Sequence, residues 1–212
     1  MHVSGRCSWL ILATWSLGAP SPTCAEPLPE VPARLRAAEI DFASLAPLTR
    51  SVMRHELGLV LAPASLTLAW RRSLPSAETD PDELRVVLLR SIGVGADQGA
   101  LGSTARRGLV PTIWVYVPTV ALALGLDLEA VATSLDAQRL VGLALGRVVA
   151  HEIVHVLAPD VGHGGTSVMR SRLQAFHLSS GRLVLESDCA AALAAGARAW
   201  LLTPIDRSLA DR

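Results

Sequence analysis

The sequence contains no lysine, and its arginines give the chain no net positive charge. The 19 arginines are matched by 19 acidic residues, charged residues make up only 18% of the chain, and half of all residues are hydrophobic. A protein that binds nucleic acid mainly through phosphates needs an excess of basic residues, which is missing here. We therefore expect no nucleic-acid partner. A chain of 212 residues with this composition is expected to form one well-buried domain.

The apolar run near the N-terminus is too short to cross a lipid bilayer. The run CSWLILATWSLGA follows a single positive charge in MHVSGR, and its length of about a dozen residues is below the roughly 20 that a membrane span needs. Thr23 and Ala25 place small residues before a cleavage point. We predict that residues 1–25 are a cleaved signal peptide and that the protein is secreted or periplasmic, without stable membrane insertion after cleavage. A frayed N-terminal helix and a lipid-modified Cys24 are the alternatives.

Cysteine is scarce as well, with three residues in the whole chain. Cleavage after Ala25 would remove Cys7 and Cys24 and would leave Cys189 without an intramolecular partner. The exported protein is therefore expected to be stable without disulfides. We interpret Cys189, in an alanine-rich segment, as a small buried residue.

Hydrophobic periodicity and the positions of proline and glycine predict a domain of mixed helices and strands in residues 41–212. Residues 26–40 begin Pro-rich and are interpreted as a surface lead-in. Helices are predicted at residues 42–61, 135–158 and 186–202, and strands at residues 65–71, 84–92 and 111–120. Prolines at both ends of the last strand suit an edge position. Residues 93–108 are Gly-rich but lack a nucleotide-binding pattern, so a loop is predicted there.

The predicted helix at residues 135–158 is apolar on nearly all sides, so we expect it to lie in the middle of the domain. Thr133 and Asp136 resemble a capping box at its start, and Pro159 ends it. Near its end it carries the motif HEIVH, in which His151 and His155 are four residues apart. Residues at this spacing share one face of a helix, so both imidazoles can reach one metal ion. Glu152 lies beside that face, where it is better placed to accept a proton from a metal-bound water than to be a ligand.

A third histidine follows at a distance that suits a metal site. Pro159 stops the helix, and Gly162 allows the chain to turn His163, eight residues after His155, back toward the metal. Three imidazoles and a water favour Zn²⁺, with iron and manganese as alternatives. Other candidates for the third ligand are Glu186 with Asp188 beside it, and Asp160. Two buried helix histidines with a loop histidine nearby would be the non-functional interpretation of the same residues.

The segment HEIVHVLAPDVGHGGTSVMR resembles the metzincin clan of zinc peptidases. The resemblance implies His151, His155 and His163 as zinc ligands, Glu152 as general base, and Met169 as the Met-turn residue beneath the metal. It also implies an α+β fold with a twisted, mostly parallel sheet and an antiparallel edge strand packed on the active-site helix. Metzincins usually carry glycine and histidine where this chain has Ala158 and Val161. The later third histidine is similar to that of a group of small exported bacterial metzincin-like proteins.

These features together predict an exported zinc-dependent metallohydrolase that acts as a peptidase on peptide or protein substrates. The alternatives are a secreted, non-catalytic binding module whose structural zinc is closed by a fourth ligand such as Asp160, and a peptidase-like domain that has lost its substrates. The resemblance implies that the edge strand at residues 111–120 would hold the substrate by backbone pairing. Tyr116, the single tyrosine, is predicted to have a structural role rather than to stabilise an oxyanion. His55 and His177 are predicted to be an exposed helix histidine and a loop histidine.

Overall fold

Five strands form one sheet in the structure, a computed structural model that describes residues 32–74, 80, 82–91, 99–105, 110–164 and 168–202. The strands are β1 (Ala33–Asp41), β2 (Leu66–Arg72), β3 (Glu83–Leu89), β4 (Gly102–Ala105) and β5 (Thr112–Tyr116), in the order β2-β1-β3-β5-β4. All neighbouring pairs are parallel except β4 and β5, which are antiparallel. The prediction of a mixed fold with a mostly parallel sheet is confirmed. The predicted signal peptide and its cleavage point lie outside the described residues.

The interpretation of residues 26–40 as a surface lead-in is wrong for residues 33–40. These residues belong to β1, which pairs with β2 on one side and with β3 on the other. Ala37 and Ala38 are fully buried, because a parallel strand inside a sheet is covered on both faces. The alanines of β1 form neither an alternating apolar pattern nor a run of β-branched residues, so the sequence shows no strand pattern there. The neighbouring prolines therefore favoured the interpretation as a surface segment.

The edge strand is also not the predicted one. Residues 102–105, inside the Gly-rich segment predicted to be a loop, form the antiparallel edge strand β4. The strand predicted at 111–120 is paired only over Thr112–Tyr116, between β3 and β4. Its flanking prolines remove no hydrogen bond from the ladder, because Pro111 precedes the strand and Pro118 lies in the first turn of a helix.

Six α-helices are described: α1 (Pro47–Leu61), α2 (Val117–Ala123), α3 (Leu128–Thr133), α4 (Leu135–Leu157), α5 (Ala175–Ser179) and α6 (Ser187–Leu202), with a 3₁₀ turn at Ala62–Ala64. The predicted helices correspond to α1, which begins five residues later than residue 42, and to α4 and α6. The N-cap of α4 is Ser134 rather than Thr133, since the Ala137 N–H donates to the Ser134 hydroxyl at 3.3 Å. The short helices α2, α3 and α5 have no counterpart in the prediction.

Helix α4 lies in the core, as its all-round apolar sequence predicts. It packs on α1 through Gly142 and Gly146: a Cβ atom at either position would lie 2.6 Å from a carbonyl oxygen of α1, that of Thr49 or that of Met53. At its other end, a Cβ atom on Gly196 of α6 would overlap the Leu157 carbonyl. By length and composition α4 could also span a membrane, but 78% of its most apolar 18-residue window is buried inside the protein. Burial of this kind is what the central helix of a globular domain shows.

One charged side chain of α4 is buried with the apolar ones. Arg147 is 2% exposed, and its Nε donates to the Glu56 carboxylate of α1 at 2.8 Å. Its Nη atoms donate to three backbone carbonyls, those of His177 at 2.6 Å, Ser180 at 3.1 Å and Gly181 at 2.6 Å. The charge is thus fully compensated, and it ties α1 and the segment 177–181 to the central helix.

We expect Arg147→Met to destabilise the protein by about 3 to 5 kcal/mol, because it leaves a carboxylate and three carbonyls without their donor. Arg139→Met is the matched control on the same helix, since Arg139 is exposed and pairs with exposed Asp136 at 3.0 Å; it should change stability by less than about 0.5 kcal/mol. Urea unfolding followed by circular dichroism measures both. Equal effects of the two substitutions would contradict the role assigned to Arg147.

Candidate metal centre

Three histidine side chains converge at the C-terminal end of α4. His151 and His155 lie one turn apart on the helix, and His163 lies on the loop that follows Pro159. Their Nε2 atoms are 3.0 Å apart for His151 and His155, 3.0 Å apart for His155 and His163, and 3.3 Å apart for His151 and His163. These residues lie close enough to bind one metal ion.

The loop returns to the helix through local hydrogen bonds. The Ala158 N–H donates to the Val154 carbonyl at 2.8 Å and closes the helix, and the Val161 N–H then donates to the Ala158 carbonyl at 3.0 Å in a tight turn. Farther on, the Gly164 N–H donates to the Met169 carbonyl at 2.9 Å. His163 is thus held between two backbone bonds, and the helix-breaking Pro159 is the sequence signal that predicts this turn.

The spacing and chemistry of the donors fit a tetrahedral metal ion. Bonds of about 2.0 to 2.1 Å at tetrahedral angles place two nitrogen ligands about 3.3 Å apart, close to the observed spacing. His151 Nδ1 lies 2.8 Å from the Val168 carbonyl, which can only accept, so Nδ1 carries the proton and the Nε2 lone pair faces the other histidines. Burial lowers the pKa of His151 despite this bond, and the nearby His163 lowers it too. The neutral imidazole is the form that binds a metal.

Glu152 lies next to the histidine cluster without joining it. Among the described residues, the group that could hold a metal contains the three histidines and no carboxylate. Glu152 is 6% exposed, and burial raises its pKa to about 7. Its carboxylate lies against the edge strand: a Cβ atom at Gly102 would be 3.0 Å from Glu152 Oε1. Gly102 therefore leaves the space that this carboxylate occupies.

Met169 lies in the core beside the cluster and is 2% exposed. It follows Val168, whose carbonyl accepts the hydrogen bond from His151, and its own carbonyl accepts from Gly164 in the His163 loop. The turn at Val168 and Met169 is therefore bonded both to the helix and to the loop that carry the histidines. Its position beneath a metal stays a prediction.

A cleft of about 780 Å³ opens over the three histidines and Glu152. Its lining comes from the segment 99–102, from α2 and α4, and from the segment 170–174. Sequence reasoning identified the histidines and Glu152 but missed Gly102 and the segment 170–174. Gly102 was one of several glycines in an apparent loop, and the segment 170–174 carries no motif of its own.

The remaining candidates do not join the cluster. Asp160, Glu186 and Asp188 are exposed and lie outside the histidine group. Tyr116 is buried, and its hydroxyl lies 3.1 Å from the Ser103 hydroxyl, which supports the structural role predicted for it. The predictions of a buried Cys189 and of an exposed His55 on a helix are confirmed. The prediction of a loop position for His177 is wrong, since it lies in α5, where its Nδ1 accepts from the Gln174 N–H at 3.2 Å.

A scan against protein-family models and searches of curated proteins and of solved structures found no significant match to this chain. The resemblance to metzincins therefore stays a prediction from the sequence motif.

We expect the purified protein to bind one divalent transition-metal ion, and we expect His163→Ala to weaken that binding by at least about 100-fold. Loss of one of three imidazoles removes a metal–nitrogen bond, whereas His55→Ala removes an exposed histidine of α1 and should leave affinity unchanged. Titration against a chromophoric chelator measures the affinity. If the His163 variant holds the metal as tightly as the wild type, His163 is not a ligand.

The buried carboxyl predicts how stability depends on pH in the metal-free protein. The pKa of Glu152 is about 7 in the folded state against an ordinary value of 4.5, so between these values the folded state binds more protons than the unfolded one. The contribution of Glu152 to stability is present at pH 4.5 and is lost as the pH rises through about 7, and it amounts to about 3 kcal/mol.

Glu152→Gln removes this titration. In the presence of a chelator, the wild type should therefore lose stability relative to this variant between pH 5 and pH 8. The lowered pKa of His151 acts in the opposite direction, but it is present in both proteins and cancels in the difference. Urea unfolding at several pH values measures the difference, and a difference that does not change with pH would contradict the assignment.

Proposed function

We propose that this chain is an exported zinc-dependent hydrolase that cleaves peptide bonds, with a metzincin-like catalytic site. The observation that carries the proposal is the separation of roles within one cleft. Three Nε2 atoms lie 3.0 to 3.3 Å from one another, and a buried carboxylate lines the same cleft without belonging to their group. A site with three protein ligands leaves a fourth position for water or substrate, which is the pattern of catalytic rather than structural zinc.

The donor set supports zinc. His151, His155 and His163 would hold the ion, and three neutral imidazoles are a common ligand set for catalytic zinc. When bound, the ion would supply a water of lowered pKa and polarise a substrate carbonyl. The hydrogen bond from His151 to the Val168 carbonyl keeps the first of these rings in the required orientation.

Glu152 is the residue that would move a proton. Its side chain lines the cleft next to the histidines, and its carboxylate lies close to the backbone of β4 at Gly102. A base with a pKa near the working pH accepts a proton from water and returns it to a leaving amine efficiently. Burial gives Glu152 this property in the protein without a metal.

The edge strand β4 would position the substrate. It is the last strand of the sheet order, it runs antiparallel to β5, and its first residue, Gly102, lines the cleft. An extended peptide can add to such an edge through backbone hydrogen bonds, which fix its direction and tolerate many side chains. The strand proposed to pair with the substrate is therefore β4, Gly102–Ala105, and not residues 111–120.

We expect Glu152→Gln to keep zinc bound and to lower the rate of peptide hydrolysis by about 100- to 10,000-fold, the usual contribution of a general base. Glu186→Gln, which alters an exposed glutamate outside the cleft, should keep full activity. The assay is digestion of a peptide library with and without a chelator, together with metal analysis of each variant.

Two outcomes would contradict the proposal. Full activity of the Glu152 variant would remove its role as the base. A zinc-bound structure with four protein ligands, for instance with Asp160 as the fourth, would instead identify a non-catalytic binding module.

A further inference from the structure

Two of the described residues that line the cleft are arginines that the proposed chemistry does not use. Arg170 and Arg172 both line the cleft, with Arg170 half-buried and Arg172 exposed. The same wall contributes Ser171 and Gln174, which are neutral. Among the lining residues that the structure describes, Glu152 is the one acidic residue, and it is buried beside the histidines.

The wall that carries these arginines is anchored at both ends to α4. At its start, the Val168 carbonyl accepts from His151 at 2.8 Å, and the Met169 carbonyl accepts from Gly164 at 2.9 Å. At its end, Arg147 donates to the carbonyls of His177, Ser180 and Gly181. The segment that carries Arg170 and Arg172 is therefore tied to the body of the protein on both sides. A recognition group on an anchored segment loses less entropy when it binds a ligand.

We propose that Arg170 and Arg172 make this cleft selective for peptides that carry a carboxylate near the bond to be cleaved. The proposal rests on the peptidase function proposed above and names its class of substrate. A planar guanidinium binds a carboxylate through two parallel hydrogen bonds, which is the most specific pairing available to an arginine. Aspartate or glutamate side chains and a free C-terminus offer the same group, so the experiment separates the two sources.

The test uses the zinc-loaded, full-length protein and two series of peptides. In the first series an internal Asp or Glu is replaced by Asn or Gln, and in the second a C-terminal carboxylate is replaced by an amide. We expect the acidic member of one series to be cleaved with kcat/KM at least about tenfold higher than its neutral partner, mainly through KM. This ratio should fall toward one in Arg172→Gln and further in the double variant with Arg170→Gln. Arg182→Gln, an exposed arginine outside the cleft, should keep the ratio.

A binding measurement makes the result independent of turnover. Fluorescence anisotropy of the same labelled peptides on zinc-loaded Glu152→Gln protein should show tighter binding of the acidic member, and Arg172→Gln should remove this difference. A ratio near one in the wild type, or a ratio that survives the double substitution, overturns the carboxylate selectivity while peptide cleavage stands. If no peptide is cleaved, the proposed function is overturned instead. In that case the difference in binding between the acidic and the neutral peptides still tests whether the two arginines select a carboxylate.

Discussion

The need to compensate one buried cation organises much of this molecule. Arg147 is buried in the middle of the central helix α4, where an unpaired guanidinium would cost several kcal/mol. Its guanidinium makes four hydrogen bonds, and these need the carboxylate of Glu56 and the carbonyls of the segment 177–181 to be in place together. Helix α1, helix α4 and the segment 177–181 are therefore joined by the same charge. Apolar packing alone would tolerate small shifts of these parts, whereas directional hydrogen bonds do not.

The same helix also determines the geometry of the histidine site. Two of the three imidazoles are on α4, so helix geometry places their backbone atoms on one face, and the bond to the Val168 carbonyl orients the His151 ring. The third is on a loop, and its position depends on backbone bonds to Ala158 and Met169. Helix α4 packs closely on α1 through Gly142 and Gly146, and farther along the same helix two of the histidines line the cleft next to the edge strand. The core and the site thus share helix α4. Its Gly142 and Gly146 pack against α1, and His151 and His155, in the turns that follow, belong to the site.

The parts that the sequence predicts well are those with a strong local cause. The spacing of His151 and His155, the helix stop at Pro159 and the apolar periodicity of residues 135–157 each act within a few residues, and they predict α4 and the clustered histidines, His163 included. The misassigned parts depend on distant partners. Strand β1 has three alanines and four charged residues among its nine positions and is recognisable as a strand only from its pairing with β2 and β3, and β4 has four residues and pairs with β5. The contact of Gly102 with Glu152 joins residues 50 positions apart, and no local pattern marks it.

The glycine at position 196 links the order of chain synthesis to the completion of the site. Because it has no side chain, α6 approaches the last carbonyl of α4 directly, at Leu157, just before the turn that leads to His163. All three histidines precede α6 in the chain, so a ribosome-bound chain that has not yet added residues 187–202 already contains them. The end of α4 at Leu157 is then still without the cover that α6 gives it. This cover is added later in synthesis than the histidines themselves.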